Sequence, residues 1–260
     1  MTGKLRLKFD NLPLVEAAVR ASFNVPKALS YALVNSVHAE LKSQFPALAE
    51  STQIEVAPGS GQFQAEFGPG CLPGAVYTGH AMGVSVHLQP QVIVARWSKR
   101  PGLDEPHYPD YEKLRDSLWI AVEAFKRGCG NDFPSIAVVN MSYVNFIPTS
   151  DPARVLATYF SPESHLSLMR NVRQVRKLEA AWGEDEDLDV RFSLEQAAAN
   201  FSDRVALGYR LTTIAGLRLG GSLDPGSGLE RVHDALQEFF NKLISPEAKK
   251  EWKLRENPNG

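Results

Sequence analysis

Apolar and polar residues alternate with a period of two along two early stretches of the chain. Leu5, Leu7 and Phe9 are separated by Arg6 and Lys8, and Val15, Ala17, Val19, Ala21 and Phe23 are set against Glu16, Arg20 and Ser22. Successive side chains of a strand point to opposite faces, so both runs predict strands with one buried face, the second a long edge or half-exposed strand. After Pro26 the period changes. Leu29, Leu33, Val37, Leu41, Phe45 and Leu48 recur at three- and four-residue spacing, predicting a helix from Ala28 to Leu48 with one apolar stripe. The glycine- and proline-rich region 58–83 breaks regular structure and predicts turns and irregular hairpins, with Phe63, Phe67 and Tyr77 anchoring the loops. Gln91 to Trp97 predicts a strand. Asp110 stands where an N-cap is expected, and Leu114, Leu118, Ala121, Val122 and Phe125 form the stripe of a helix that stops at Gly128. Ile136 to Ile147 is a long apolar strand interrupted by Asn140, Ser142 and Asn145.

The second half reads as strand-rich. Arg154 to Phe160 and Asn171 to Trp182 alternate loosely, residues 183–187 make an acidic turn, and Val190, Phe192 and Leu194 alternate again. Arg204 to Leu219 predicts the longest strand, with Val205, Leu207, Tyr209 and Leu211 on one face. Ser227 and Glu230 have capping-box spacing ahead of the stripe Leu229, Val232, Leu236, Phe239 and Leu243, and Ser245-Pro246 opens a last helical turn through Trp252. Strands joined by short turns, with helices added singly, predict an α+β fold of two lobes, each a mostly antiparallel sheet covered by one or two helices. Asp151-Pro152 marks the expected boundary between an N-terminal α+β lobe, 1–150, and a C-terminal strand-rich lobe ending in a helix, 151–260.

A length of 260 residues suffices for two such cores. Charge narrows the function classes more than length does. Lys and Arg total 28 against 30 Asp and Glu, a net charge of -2, whereas a protein that coats nucleic acid carries a strong basic excess. The N-terminal residues, charged at every other position, predict no secretory signal, and no stretch approaches the roughly 20 apolar residues of a membrane helix. A cytoplasmic protein without membrane partners is expected. Cys71 and Cys129 are too few to staple a domain or hold a structural zinc, and they read as free thiols of a reducing compartment.

Three segments together carry a family likeness: Pro13-Leu14-Val15-Glu16, the run Val138-Val139-Asn140-Met141-Ser142-Tyr143-Val144-Asn145-Phe146-Ile147-Pro148, and the tail Val232-His233-Asp234-Ala235-Leu236 closing near Glu251-Trp252. The chain resembles a sporadically distributed bacterial family of about 250-residue proteins of unknown function. In that family a Pro-Leu-x-Glu start, a Tyr-x-Asn-x-Ile-Pro strand and a Leu-His-Asp-like final helix recur; here Val232 stands where leucine is expected. The resemblance implies an α+β protein of patchy occurrence and supplies no activity. A phage-defence or toxin–antitoxin association is extrapolated from that patchiness.

No catalytic, cofactor or metal signature accompanies the scaffold. His80 and His87 fall on opposite faces of a strand, and His38, His107, His165 and His233 are scattered. Gly59-Ser60-Gly61 lacks the third glycine of a dinucleotide loop, and no nucleophile elbow occurs. The best candidate surface is the basic segment Arg170, Arg173, Arg176 and Lys177, set against Glu184, Asp185, Glu186, Asp187 and Asp189. The glycine-rich loops of 58–83 are the second candidate. The chain is therefore expected to be a non-enzymatic factor that binds a protein partner, with no cofactor. The alternative is a nucleic-acid-binding or nucleic-acid-processing protein that sets segment 170–177 on phosphates. A catalytic site that assembles only in three dimensions, and a homo-oligomer paired through an edge at Val15 to Phe23, are the further options.

Overall fold

Short turns between alternating runs fold this chain into antiparallel hairpins, and amphipathic helices pack on the resulting sheet. The structure, a computed structural model, describes residues 7–9, 12–51, 70–79, 83–99, 108–149, 151–161, 176–183, 186–200, 205–220 and 223–255. In chain order the first elements are β1 (Lys8–Phe9), β2 (Leu14–Phe23), β3 (Leu29–Ser30), α1 (Tyr31–Leu41), β4 (Ala47–Glu50), β5 (Cys71–Leu72), β6 (Ala75–Thr78), β7 (Val84–Gln89), β8 (Val92–Ser98) and α2 (Tyr111–Cys129). They continue with β9 (Ile136–Pro148), α3 (Pro152–Tyr159), β10 (Lys177–Gly183), β11 (Leu188–Asn200), β12 (Val205–Arg218), α4 (Pro225–Leu243), α5 (Pro246–Glu251) and β13 (Leu254–Arg255). The fold class is α+β, dominated by a large, mostly antiparallel sheet with helices packed on it. Nine strands follow the order β10-β11-β12-β9-β2-β8-β7-β6-β4.

The chain divides into two compact units, each assembled from separate stretches. One holds residues Met1–Glu16, Met141–Leu217 and Gly226–Gly260; the other holds Ala17–Asn140 and Arg218–Pro225. Strands β2 and β9 each contribute residues to both.

In the unit of residues 17–140, β7 and β8 form a tight hairpin, Gln89 opposite Val92 across the Pro90-Gln91 turn. Helix α2 packs on β7 and β8, and α1 packs on α2 and β6. Leu114, Leu118, Val122 and Phe125 of α2 and Val37 and Leu41 of α1 are buried, as the three- and four-residue spacing requires. Phe23 of β2 stacks on Phe125 with ring centroids 5.5 Å apart. Tyr77 of β6 is fully buried, and its hydroxyl donates to the Val34 carbonyl oxygen at 3.1 Å.

The other unit builds its core on one face of β10, β11 and β12. Phe192, Leu194, Tyr209 and Leu211 cluster with Ile147 of β9, Val155 and Leu156 of α3, Phe240 and Leu243 of α4, and Trp252. Trp252 stacks on Tyr159 at 5.4 Å, closing the apolar end. Gly208 marks a close backbone approach: a Cβ there would lie 2.4 Å from the Ile147 carbonyl oxygen and 2.9 Å from Pro148 Cα. Only glycine fits so near a neighbouring strand.

Several local expectations are corrected. The strand at 15–23 is interior, flanked by β9 and β8, and is not an edge, because Ala17, Ala18, Ala21 and Ser22 are small enough to bury on both of its faces. The helix expected over 28–48 spans only Tyr31–Leu41. Ser30 caps it, its Oγ accepting from the Leu33 N–H at 3.2 Å, and Pro46 lies beyond its end, after which 47–50 pairs as a strand with β6. Of residues 154–160, expected as a strand, 154–159 lie in helix α3, which begins on Pro152, a residue suited to the first helical turn, and Phe160 makes an isolated bridge to Ile244. Helix α4 already starts at Pro225, so Ser227 and Glu230 stand inside its first turns and Ser227 is not its N-cap. Of the face expected to be uniform on β12, Tyr209 and Leu211 are buried, but Val205 and Leu207 are 65% and 58% exposed. Among the described residues no helix is long and apolar enough to cross a membrane.

Candidate functional site

The helices cover one face of the β10–β11–β12 sheet and leave the other open. Register fixes what that open face carries, because residues directly opposite one another on antiparallel strands share a face. Lys177, Glu195 and Arg210 form the first row across the three strands, Glu179, Ser193 and Thr212 the second. Ala181, Arg191 and Ile214 form the third, and Gly183, Asp189 and Gly216 the fourth. The small residues among these leave the middle of the face low, and a groove of about 410 Å³ runs over Glu179, Ala181, Arg191, Ser193, Thr212 and Ile214.

Its charges are internally matched. Lys177 Nζ lies 2.8 Å from Glu179, Arg191 lies 2.8 Å from Asp189, and Arg210 lies 3.4 Å from Glu195. The hydrogen bond to Glu179 holds the Lys177 ammonium above its ordinary range. All these pairs are solvent-exposed, so each contributes little to stability; their effect is to set the pattern a partner meets.

Of the predicted basic strip, Arg176 and Lys177 are exposed at the start of β10, while Arg170 and Arg173 lie outside the described residues. Of the opposing acids, Glu186, Asp187 and Asp189 are exposed, and Glu184 and Asp185 lie outside the described residues. The structure therefore places Lys177 and Asp189 on one surface with Glu179, Arg191, Glu195 and Arg210, which the sequence did not single out. Their signal was present as charged residues at every second position of the strands, but the partners of each row are set only by register. Of the glycine-rich region, residues 70–79 and 83 are described and supply strands β5 and β6; Phe63 and Phe67 lie outside.

A second polar constellation lies on the sheet face of the 17–140 unit opposite α1 and α2, where Ala18, Val92 and Val94 are buried. Val84, Val86 and Leu88 of β7 are buried on one face, and Ser85 and His87 project half-buried from the other. Ser85 Oγ and His87 Nε2 are 2.9 Å apart. Ser85 stands opposite Thr78 of β6 and Arg96 of β8, and His87 opposite Val76 and Val94. Ala18 of β2 clusters with Val92 and Val94, which puts the even-numbered positions of β2, and so Arg20, on this same face. Arg20 Nη1 reaches Asn140 Oδ1 at 3.5 Å, the long end of the hydrogen-bond range. The alternation Val84-Ser85-Val86-His87-Leu88 carried the signal for this pairing in the sequence.

The remaining histidines and the cysteines have structural settings. His38 Nε2 lies 3.2 Å from the Pro46 carbonyl oxygen and its ring stacks on Tyr77, and His233 is buried on the core face of α4. His80, His107 and His165 lie outside the described residues. Cys71 and Cys129 are free thiols, and burial pushes the Cys129 thiol up, away from the reactive thiolate. Among the described residues no group of three or more His, Cys, Asp or Glu side chains is placed to hold a metal ion. No protein-family model matches the chain, and no curated protein sequence does.

Proposed function

We propose that the chain is a non-enzymatic protein-binding factor that holds an extended, mixed-charge polypeptide segment on the open face of β10, β11 and β12. One observation carries this reading: the face sets three cations, Lys177, Arg191 and Arg210, among three carboxylates, Glu179, Asp189 and Glu195, around a low floor of small side chains. Phosphate backbones are uniformly negative and meet as much repulsion as attraction on such a surface. A polypeptide with charges of both signs can match it row by row, and its side chains can enter the groove. The nucleic-acid alternative rests on Arg170, Arg173, Arg176 and Lys177, the last of which already spends its charge on Glu179. Membership of the sporadically distributed bacterial family and a cytoplasmic location are proposed alongside on the sequence alone, and a defence-associated role on that family's patchy occurrence.

The test is co-purification from host lysate with and without nuclease, using the wild-type chain and Ser193→Trp, which fills the groove from its solvent side. The expected result is a nuclease-resistant protein, identified by mass spectrometry and then re-bound in purified form, that Ser193→Trp loses at unchanged thermal stability. A partner that binds Ser193→Trp equally well sinks the assignment. Nucleic acid recovered instead, and lost when the four basic residues are reversed, establishes the alternative.

A further inference from the structure

We infer that the polypeptide segment held on the open face lies in the valley between β10 and β11 and carries charges at every second residue, in the order basic, acidic, basic. This rests on the reading that the face binds a polypeptide, and it adds the order and spacing of the charges that the partner brings.

The ion pairs run along the strands. Lys177 and Glu179 are two residues apart on β10, and Asp189 and Arg191 are two apart on β11, so neither pair spans the valley between the strands. From the first row to the fourth, the residues facing one another across that valley are Lys177 and Glu195, Glu179 and Ser193, Ala181 and Arg191, and Gly183 and Asp189. Opposite charges match in the first row. The next three rows present a carboxylate, a guanidinium and a carboxylate, each opposite an uncharged residue. In those rows β12 carries Thr212, Ile214 and Gly216, so β10 and β11 alone set the sign pattern. Successive rows lie two residues apart, about 6.6 Å, which is also the step between side chains on one face of an extended segment. A segment laid along the valley therefore meets one charge for each side chain it points at the sheet, and the sign alternates.

The internal pairs leave bonding capacity for an arriving segment. Glu179 engages Lys177 through Oε1, and Arg191 engages Asp189 through Nη2. Glu179 Oε2 and Arg191 Nε and Nη1 have no partner among the described residues, and a guanidinium fork serves two carboxylates at once. Both pairs are exposed, hence weak, and an incoming side chain that shields them from water strengthens the contacts it makes. The groove of about 410 Å³ sits where the sign changes, over Glu179 and Ser193 of the second row and Ala181 and Arg191 of the third, with Thr212 and Ile214 on its far side. Its small floor residues admit a basic side chain beside Glu179 and an acidic one beside Arg191. Asp189, one row beyond, takes the second base.

The experiment follows, by fluorescence anisotropy at low ionic strength, the binding of two labelled, end-blocked peptides to the full chain. One is Thr-Lys-Thr-Glu-Thr-Lys-Thr; in the other the central glutamate is replaced by lysine. The alternating peptide should bind about tenfold more tightly, although the all-lysine peptide is the more strongly attracted by the net charge of -2. Arg191→Glu should reverse that order, and Ser193→Trp should abolish binding of both. Equal affinity for the two peptides, tighter binding of the all-lysine peptide, or an Arg191→Glu chain that keeps the wild-type order overturns the charge order. So does failure of the alternating peptide to bind. In each of these cases the groove still stands as a polypeptide site if Ser193→Trp releases the co-purified partner, and falls if that partner is retained. The comparison of the two peptides on the wild-type chain needs no variant, so the test survives even if Arg191→Glu does not fold.

Discussion

Gly208 and Tyr77 show how single residues bind this fold together. An added methyl at 208 meets the backbone of β9, which cannot rotate away as a side chain would, so Gly208→Ala is expected to cost about 2–3 kcal/mol through overpacking, read as a lower urea midpoint. Tyr77 makes a different prediction. Burial raises its phenol pKa above 10.0, so the folded state keeps a proton that the unfolded chain gives up as pH rises past about 10. Stability that is complete below pH 10 should therefore fall with rising pH above it, and urea melts between pH 8 and 11 should show a shallower fall in Tyr77→Phe. That variant should also lose about 0.5–1.5 kcal/mol at pH 8 with the hydrogen bond to Val34. At this scale the sequence was partly legible: Tyr77 was expected to anchor a loop, whereas it is buried within strand β6, and nothing in the chain announces that Gly208 faces Ile147 and Pro148.

Among elements, caps and stripes governed what could be foreseen. Ser245 accepts from the Ala248 N–H at 3.0 Å with Pro246 in the first turn, so the last short helix stands where Ser-Pro placed it. Ser245→Ala is expected to cost about 1 kcal/mol, measured by chemical denaturation. Leu236 lies at the centre of the α4 stripe and is fully buried, and Leu236→Ala should cost about 2–5 kcal/mol as transfer and cavity terms add. Failures had local causes as well. Residues 154–160 alternate loosely enough to pass for a strand, but Pro152 opens a helix whose Val155 and Leu156 are buried, and Phe160 joins the same core just beyond its end. Leu48 continues the stripe of α1 in number, yet Pro46 lies between them, and 47–50 pairs with β6 instead.

For the whole molecule, the units are not consecutive blocks of chain. Ile147 belongs to the core that α3, α4, β11 and β12 build, and the Thr149 N–H donates to the Leu207 carbonyl oxygen at 3.1 Å. A fragment of residues 151–260 lacks these groups and the strand residues 141–148, so it should show no cooperative urea transition by circular dichroism. A sigmoidal transition comparable to that of the full chain would contradict the division. What the sequence by itself determined are the features set by neighbours a few residues apart: the α+β class, the stripes of α2 and α4, the period of β11 and β12, and the Ser245 cap. What only the tertiary structure decided are the features set by register and strand order: an interior β2, the row of Lys177, Glu195 and Arg210, and the meeting of Ser85 with Arg96. Periodicity assigns a side chain to one of two faces, but which residues it meets there depends on hydrogen bonds between strands distant in sequence, and those are fixed only when the whole sheet closes.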